Sequence, residues 1–155
     1  MDYDNIAKPI AVATALMSAV GGGYALVDKF GWLKKDVLKW DADHFEISNG
    51  PASEPFKVIV ARQKIRDDCS VEDFTLEVRD SNYIVHRATP SVVKFSGPAS
   101  HNVDKLGYTM TIENPEKVAL GEAKLLARIV YKCPEGTTII SYPDHKNLTF
   151  KVESK

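Results

Sequence analysis

Nineteen consecutive residues, Pro9–Val27 (PIAVATALMSAVGGGYALV), carry no charge in a chain where 26% of residues are charged. As a helix rising 1.5 Å per residue, such a run reaches about 28 Å, close to the hydrocarbon thickness of a bilayer. It must be sheltered from water, by lipid or by protein. The residues before it, 1–8 (MDYDNIAK), set Asp2 and Asp4 against Lys8. A secretory signal peptide starts on basic residues and has a shorter apolar core. The expectation is therefore an uncleaved, single-pass membrane helix. The alternative is an apolar helix buried against protein in a larger assembly.

Thr14, Ser18, Tyr24 and Gly21-Gly22-Gly23 dilute the run. Ala15, Ser18, Ala19, Gly22 and Gly23 form a small-residue packing face of the kind that brings helices together in lipid. Beyond it, Leu26, Phe30, Leu33, Val37 and Trp40 recur at helical spacing. Trp32 and Trp40 are the only tryptophans in the chain, and lysines lie beside them. Lysines and aromatic rings flanking an apolar span mark a membrane interface. The expected interfacial anchor is Lys29, Trp32, Lys34, Lys35, Lys39 and Trp40, with the helix extending amphipathically to residue 40. It either bends at Gly31 to lie on the surface, the reading taken, or continues straight and pairs with copies of itself.

Gly, Pro, Ser and Asn accumulate in Asp41–Pro55, which reads as a linker. From residue 56 the apolar period becomes two. Phe74-Thr75-Leu76-Glu77-Val78-Arg79, Tyr108-Thr109-Met110-Thr111-Ile112-Glu113 and Leu148-Thr149-Phe150-Lys151-Val152-Glu153 alternate strictly, as half-buried strands do. Phe56–Ile65, Tyr83–Ala88, Val92–Ser96, Lys124–Cys133 and Thr137–Tyr142 are further strand candidates. Asp80-Ser81-Asn82, Asn114-Pro115 and Pro134-Glu135-Gly136 separate them as turns. Glu116–Glu122 has room for one helical turn. The expected class is mainly β, an antiparallel sandwich of seven to nine strands over residues 56–155.

Tyr131-Lys132-Cys133 resembles the Tyr-x-Cys of the sixth strand of immunoglobulin domains, and Cys69 lies 64 residues earlier. The resemblance implies an immunoglobulin-like sandwich over residues 56–155. The sequence departs from it in two ways: the domain has no tryptophan for a central disulfide, and Cys69 follows the turn-like Arg66-Asp67-Asp68. In such a sandwich the loop after the second strand and the end of the sixth strand share one pole. A Cys69–Cys133 bridge would then staple that pole; two buried free thiols are the other reading. The layout also resembles small single-pass proteins of bacterial envelopes and phages.

Membrane side is argued both ways. Lysines after the span place the domain in the cytoplasm by the positive-inside rule. The cysteine pair and the β-rich domain point outside, and the outside placement is the reading taken. A net charge of −1 gives no electrostatic footprint for nucleic acid. No nucleotide loop, hydrolase elbow or zinc spacing occurs. His44, His86, His101 and His145 are isolated, as solvated histidines are, and the acids Asp67, Asp68, Glu72 and Asp73 lack a calcium-loop pattern.

No catalytic residue, cofactor or small-molecule substrate is expected. The function expected is a non-enzymatic structural or protein-interaction module held at the bilayer. Its partners are lipid and other protein subunits, or copies of itself met through the helix. A subunit of a complex or virion, and a membrane-acting lysis or pore-forming protein, are the alternatives. Binding is expected at an edge strand or at loops near the poles, such as Pro134–Thr137 and Ser96–Asn102.

Overall fold

The computed structural model describes residues 35–91 and 103–155. Residues 36–155 form one unit, built as a ten-stranded curled sheet. The strands are β1 (Leu38–Trp40), β2 (Glu46–Ile47), β3 (Gly50–Pro51), β4 (Phe56–Lys64), β5 (Ser70–Arg79), β6 (Val85–Pro90), β7 (Asp104–Ile112), β8 (Gly121–Cys133), β9 (Gly136–Ser141) and β10 (Thr149–Glu153). Their order is β1-β4-β7-β6-β5-β8-β10-β3, with β2 also on β4 and β9 also on β8. Every pairing is antiparallel except that of β3 with β10.

Alternation along the strands sets the inner face. Phe56, Val58 and Val60 of β4, Met110 and Ile112 of β7, and Leu76 and Val78 of β5 are buried, as are Leu125 and Ile129 of β8 and Phe150 of β10. The sheet curls so that its two ends face each other across this core. Phe56 meets Phe150 edge-on with ring centroids 4.8 Å apart. The segment from β2 to β3 spans the two ends, pairing first with β4 and then with β10.

β8 changes neighbours along one edge. Its first residues pair with β10 and its last six with β9, while β5 runs along the opposite edge. β5 has a bulge between Val71 and Asp73. Gly136 closes the β8–β9 hairpin at φ +133, a conformation that side chains with a Cβ rarely adopt.

Most expected strands from residue 56 onward are present with shifted ends, and the single helical turn is a 3-10 turn at Pro115–Lys117. Val92–Ser96 lies outside the described residues. Two readings are corrected. The amphipathic helix does not extend to residue 40, because Leu38–Trp40 is a strand on β4. Val37 and Leu38 are buried, and the Val37 carbonyl accepts the N–H groups of Ile65 and Arg66. Four residues, Val37-Leu38-Lys39-Trp40, are too few to fix the period, and the edge of β4 decides it. Residues 41–55 are not a linker: they hold β2 and β3, and they bury Phe45 and Ala52. Among the described residues, 56–155 hold seven strands, within the seven to nine expected there, and β1, β2 and β3 bring the sheet to ten.

Among the described residues no helix is long and apolar enough to cross a membrane. The expected span 9–27, its packing face Ala15, Ser18, Ala19, Gly22 and Gly23, and the anchor residues Lys29, Trp32 and Lys34 all lie outside them. Lys35 and Lys39 are exposed.

Candidate functional site

β5 and β8 run antiparallel, which puts Cys69, before β5, beside Cys133, at the end of β8. The two are bridged, with S–S 2.07 Å and Cα atoms 4.3 Å apart, and both are buried. The bridge lies at one pole, as the pole-staple reading expects. Arg66 reinforces it. Its Nε and Nη2 each donate to Asp68 at 2.8 Å, and its guanidinium also grips Glu135 in the hairpin turn. Arg66 holds Glu135 down to about 2 and Asp68 below the usual carboxylate range. Of the acids near this turn, Asp68 thus serves an ion-pair network with Arg66 and Glu135. Among the described residues, no three or more His, Cys, Asp or Glu side chains are grouped to hold a metal ion.

Inside the same pole, Arg62 and Lys64 occupy the inner face of β4, and both are buried. Burial, then the neighbouring Arg62 charge, lowers the Lys64 ammonium, while Asp67 and Asp68 raise it. Arg62 Nη1 reaches the buried Tyr131 hydroxyl at 3.5 Å. Trp40, Phe45 and Tyr142 form an edge-on cluster with centroids 4.9–5.7 Å apart. The Trp40 indole donates to the Ser141 carbonyl at 3.0 Å. Trp40 is thus a partly buried part of this fold, although expected at a membrane interface. The hydroxyls of Tyr108 and Tyr142 lie 2.9 Å apart. Burial raises both phenols above their ordinary value, so they stay protonated through the physiological range and act as a hydrogen-bonded pair.

The opposite pole is organised by Asp80, which follows β5 and has its side chain fully buried. Oδ1 accepts the N–H groups of Asn82 and Ile84 at 2.9 and 3.0 Å. Oδ2 receives His86 Nε2 at 2.8 Å and the Ala119 N–H at 3.1 Å. Burial pushes this carboxyl up, but His86 and the three N–H donors outweigh it and hold it at about 2. His86, expected to be solvated, has a side chain only 8% exposed: alternation along β6 turns it inward. Ser81 Oγ donates to the Leu120 carbonyl at 2.8 Å and ties the two loops together.

The clamped loops present apolar tips. Tyr83 is 78% exposed, and Leu120, Ile84 and Val85 are each at least half exposed. Tyr83 is held at φ +65, with the Arg79 guanidinium over its ring at 5.5 Å. Sequence reasoning placed binding at other loops near the poles and did not single out this surface. Its signal was Asp80-Ser81-Asn82, an aspartate able to cap its own turn, directly followed by three apolar residues.

The expected loop Pro134–Thr137 contains the hairpin turn that Arg66 holds, and Ser96–Asn102 lies outside the described residues. Asn147 starts a glycosylation sequon, but its Nδ2 donates to the Ala42 carbonyl at 3.0 Å, so the nitrogen that glycosylation uses is already engaged. No family model, curated protein or solved structure matches this chain.

Proposed function

We propose that this chain is a membrane-anchored, non-enzymatic structural or interaction module. Residues 9–27 hold it at the bilayer, and an immunoglobulin-like β-domain outside the cytoplasm presents its surface to other proteins. The observation that carries the reading is the rigid apolar tip Tyr83–Val85 with Leu120, at the pole opposite the one where the chain enters the unit beside Val37. A buried carboxylate spent on immobilising exposed apolar residues fits a preorganised contact surface better than a catalytic centre.

The disulfide supports an oxidising compartment. The immunoglobulin-like assignment is supported by the strand order, in which β5 and β8 pair on one side of the core and β4 and β7 on the other. It is also supported by the terminal segment that leaves β4 to pair in parallel with β10.

Alkaline carbonate extraction tests the anchor, and protease added to spheroplasts tests the side. The full chain is expected in the membrane pellet, with its β-domain digested from outside and its cysteines resistant to denaturing alkylation until reduced. Release by carbonate overturns the anchor. A domain protected until lysis overturns the placement.

A further inference from the structure

β9 is an edge strand with no strand on its outer side among the described residues, since it pairs with β8 alone. The other edges carry features that discourage strand addition: Lys39 in β1, Glu46 in β2 and Pro51 in β3. Natural sheets guard edges with charge and proline. β9 reads Gly-Thr-Thr-Ile-Ile-Ser, with neither, and Ile139 is 59% exposed.

The register shows which groups are open. The Tyr142 N–H bonds the Ala127 carbonyl, which continues the β8–β9 ladder. Bonded pairs alternate in an antiparallel ladder, so Ile140 and Thr138 turn their amides toward β8. Thr137, Ile139 and Ser141 turn theirs outward. Of these, the Ser141 carbonyl meets the Trp40 indole and keeps a second lone pair.

We propose that β9 pairs antiparallel with β9 of a second copy of this chain across a two-fold axis at Ile139. Ile139 then exchanges both backbone hydrogen bonds with its own copy, and the Ser141 N–H donates to the Thr137 carbonyl of the second copy while the Ser141 carbonyl keeps the Trp40 indole. The edge suits itself because it is uncharged, so no like charges come to lie opposite. The nearest flanking cations, Lys132 and Arg128, sit one strand back on β8. Across the pair they are three strand spacings apart, about 14 Å, beyond the roughly 8 Å screening length of physiological salt. Ile139 packs against its copy with Val130 beside it on the same face. The pairing concerns the β-domain alone and holds whether or not residues 9–27 span a bilayer.

A six-residue edge buries less than a standard stable interface, so the test is site-specific cross-linking in the full chain. Paired residues in an antiparallel ladder have Cα atoms about 5.5 Å apart, within disulfide reach. Under mild oxidation, Ile139→Cys is expected to give a covalent dimer, whereas Ile84→Cys, equally exposed at the opposite pole, is not. Thr137→Cys mixed with Ser141→Cys is expected to cross-link as a heterodimer, and adding Ile139→Lys to both is expected to abolish that band while the circular dichroism spectrum is retained. Cross-linking of Ile139→Cys no greater than that of Ile84→Cys, or a band that survives Ile139→Lys, overturns the proposal.

Discussion

Replacing Asp80 tests how the apolar pole is held. Asp80→Ala removes the acceptor of three backbone N–H groups and of His86. Removing one member of a buried charged network typically costs about 3–5 kcal/mol, and a hydrogen bond to a charged group contributes about 1.5–3 kcal/mol. Asn82 and Ala119 sit in part-buried bonds, so water recovers some of this loss. Asp80→Ala is therefore expected to cost about 3 kcal/mol.

Asp80→Asn divides the network. Its carbonyl oxygen, in place of Oδ1, still accepts Asn82 and Ile84, while its amide faces His86 and leaves the Ala119 N–H without an acceptor. Its cost is about half as large. Acid provides a second reading. The folded carboxyl lies at about 2 against 3.8 in the unfolded chain, so its contribution is present above 3.8 and is lost as pH falls toward 2. Urea unfolding of the full chain in detergent, followed by tyrosine and tryptophan fluorescence, should show the gap between wild type and Asp80→Asn narrowing over that interval. A loss below about 1 kcal/mol for Asp80→Ala, or a gap that stays constant between pH 5 and pH 2.5, refutes the network as described.

Reducing the Cys69–Cys133 bridge, or replacing both cysteines by serine, releases a loop with a sequence separation of 64. Loop entropy puts the loss at about 4 kcal/mol, measured as a fall in the urea midpoint with the β circular dichroism spectrum kept at zero denaturant. Tyr108→Phe and Tyr142→Phe each leave the other hydroxyl buried without its partner and are expected to cost about 1–2 kcal/mol. The double variant is expected to cost less than the sum of the singles, and strict additivity in a double-mutant cycle would show that the two hydroxyls do not interact.

The strands from residue 56 onward were legible because strict alternation allows only one burial pattern. Phe74–Arg79 and Tyr108–Glu113 could not reverse faces without exposing their apolar set. The pole-staple reading of the cysteines came from the resemblance to immunoglobulin domains, with the polar turn before Cys69 moving the bridge away from the centre of the sandwich. What stayed hidden depends on contacts distant in sequence. Val37–Trp40 continues a helical stripe in the sequence, and only the open edge of β4 draws it into the sheet. Phe45 looks like one apolar residue among loop formers until Trp40 and Tyr142 surround it. His86 gave no local signal because its partner precedes it by six residues, across a turn. The apolar tip was legible in principle, but Tyr83, Ile84 and Val85 read as the start of a strand.

The parallel pairing of β3 with β10 has a mechanical consequence. These strands lie near the two ends of the unit and point the same way, so tension applied between the ends pulls them in opposite directions along their length. Their hydrogen bonds then yield together in shear and not one at a time. The residues between Cys69 and Cys133 stay locked in a covalent ring and cannot lengthen the chain. Pulled by its two ends, the domain would thus pay out only the segments outside that ring, and the residues of β5 to β8 would be spared.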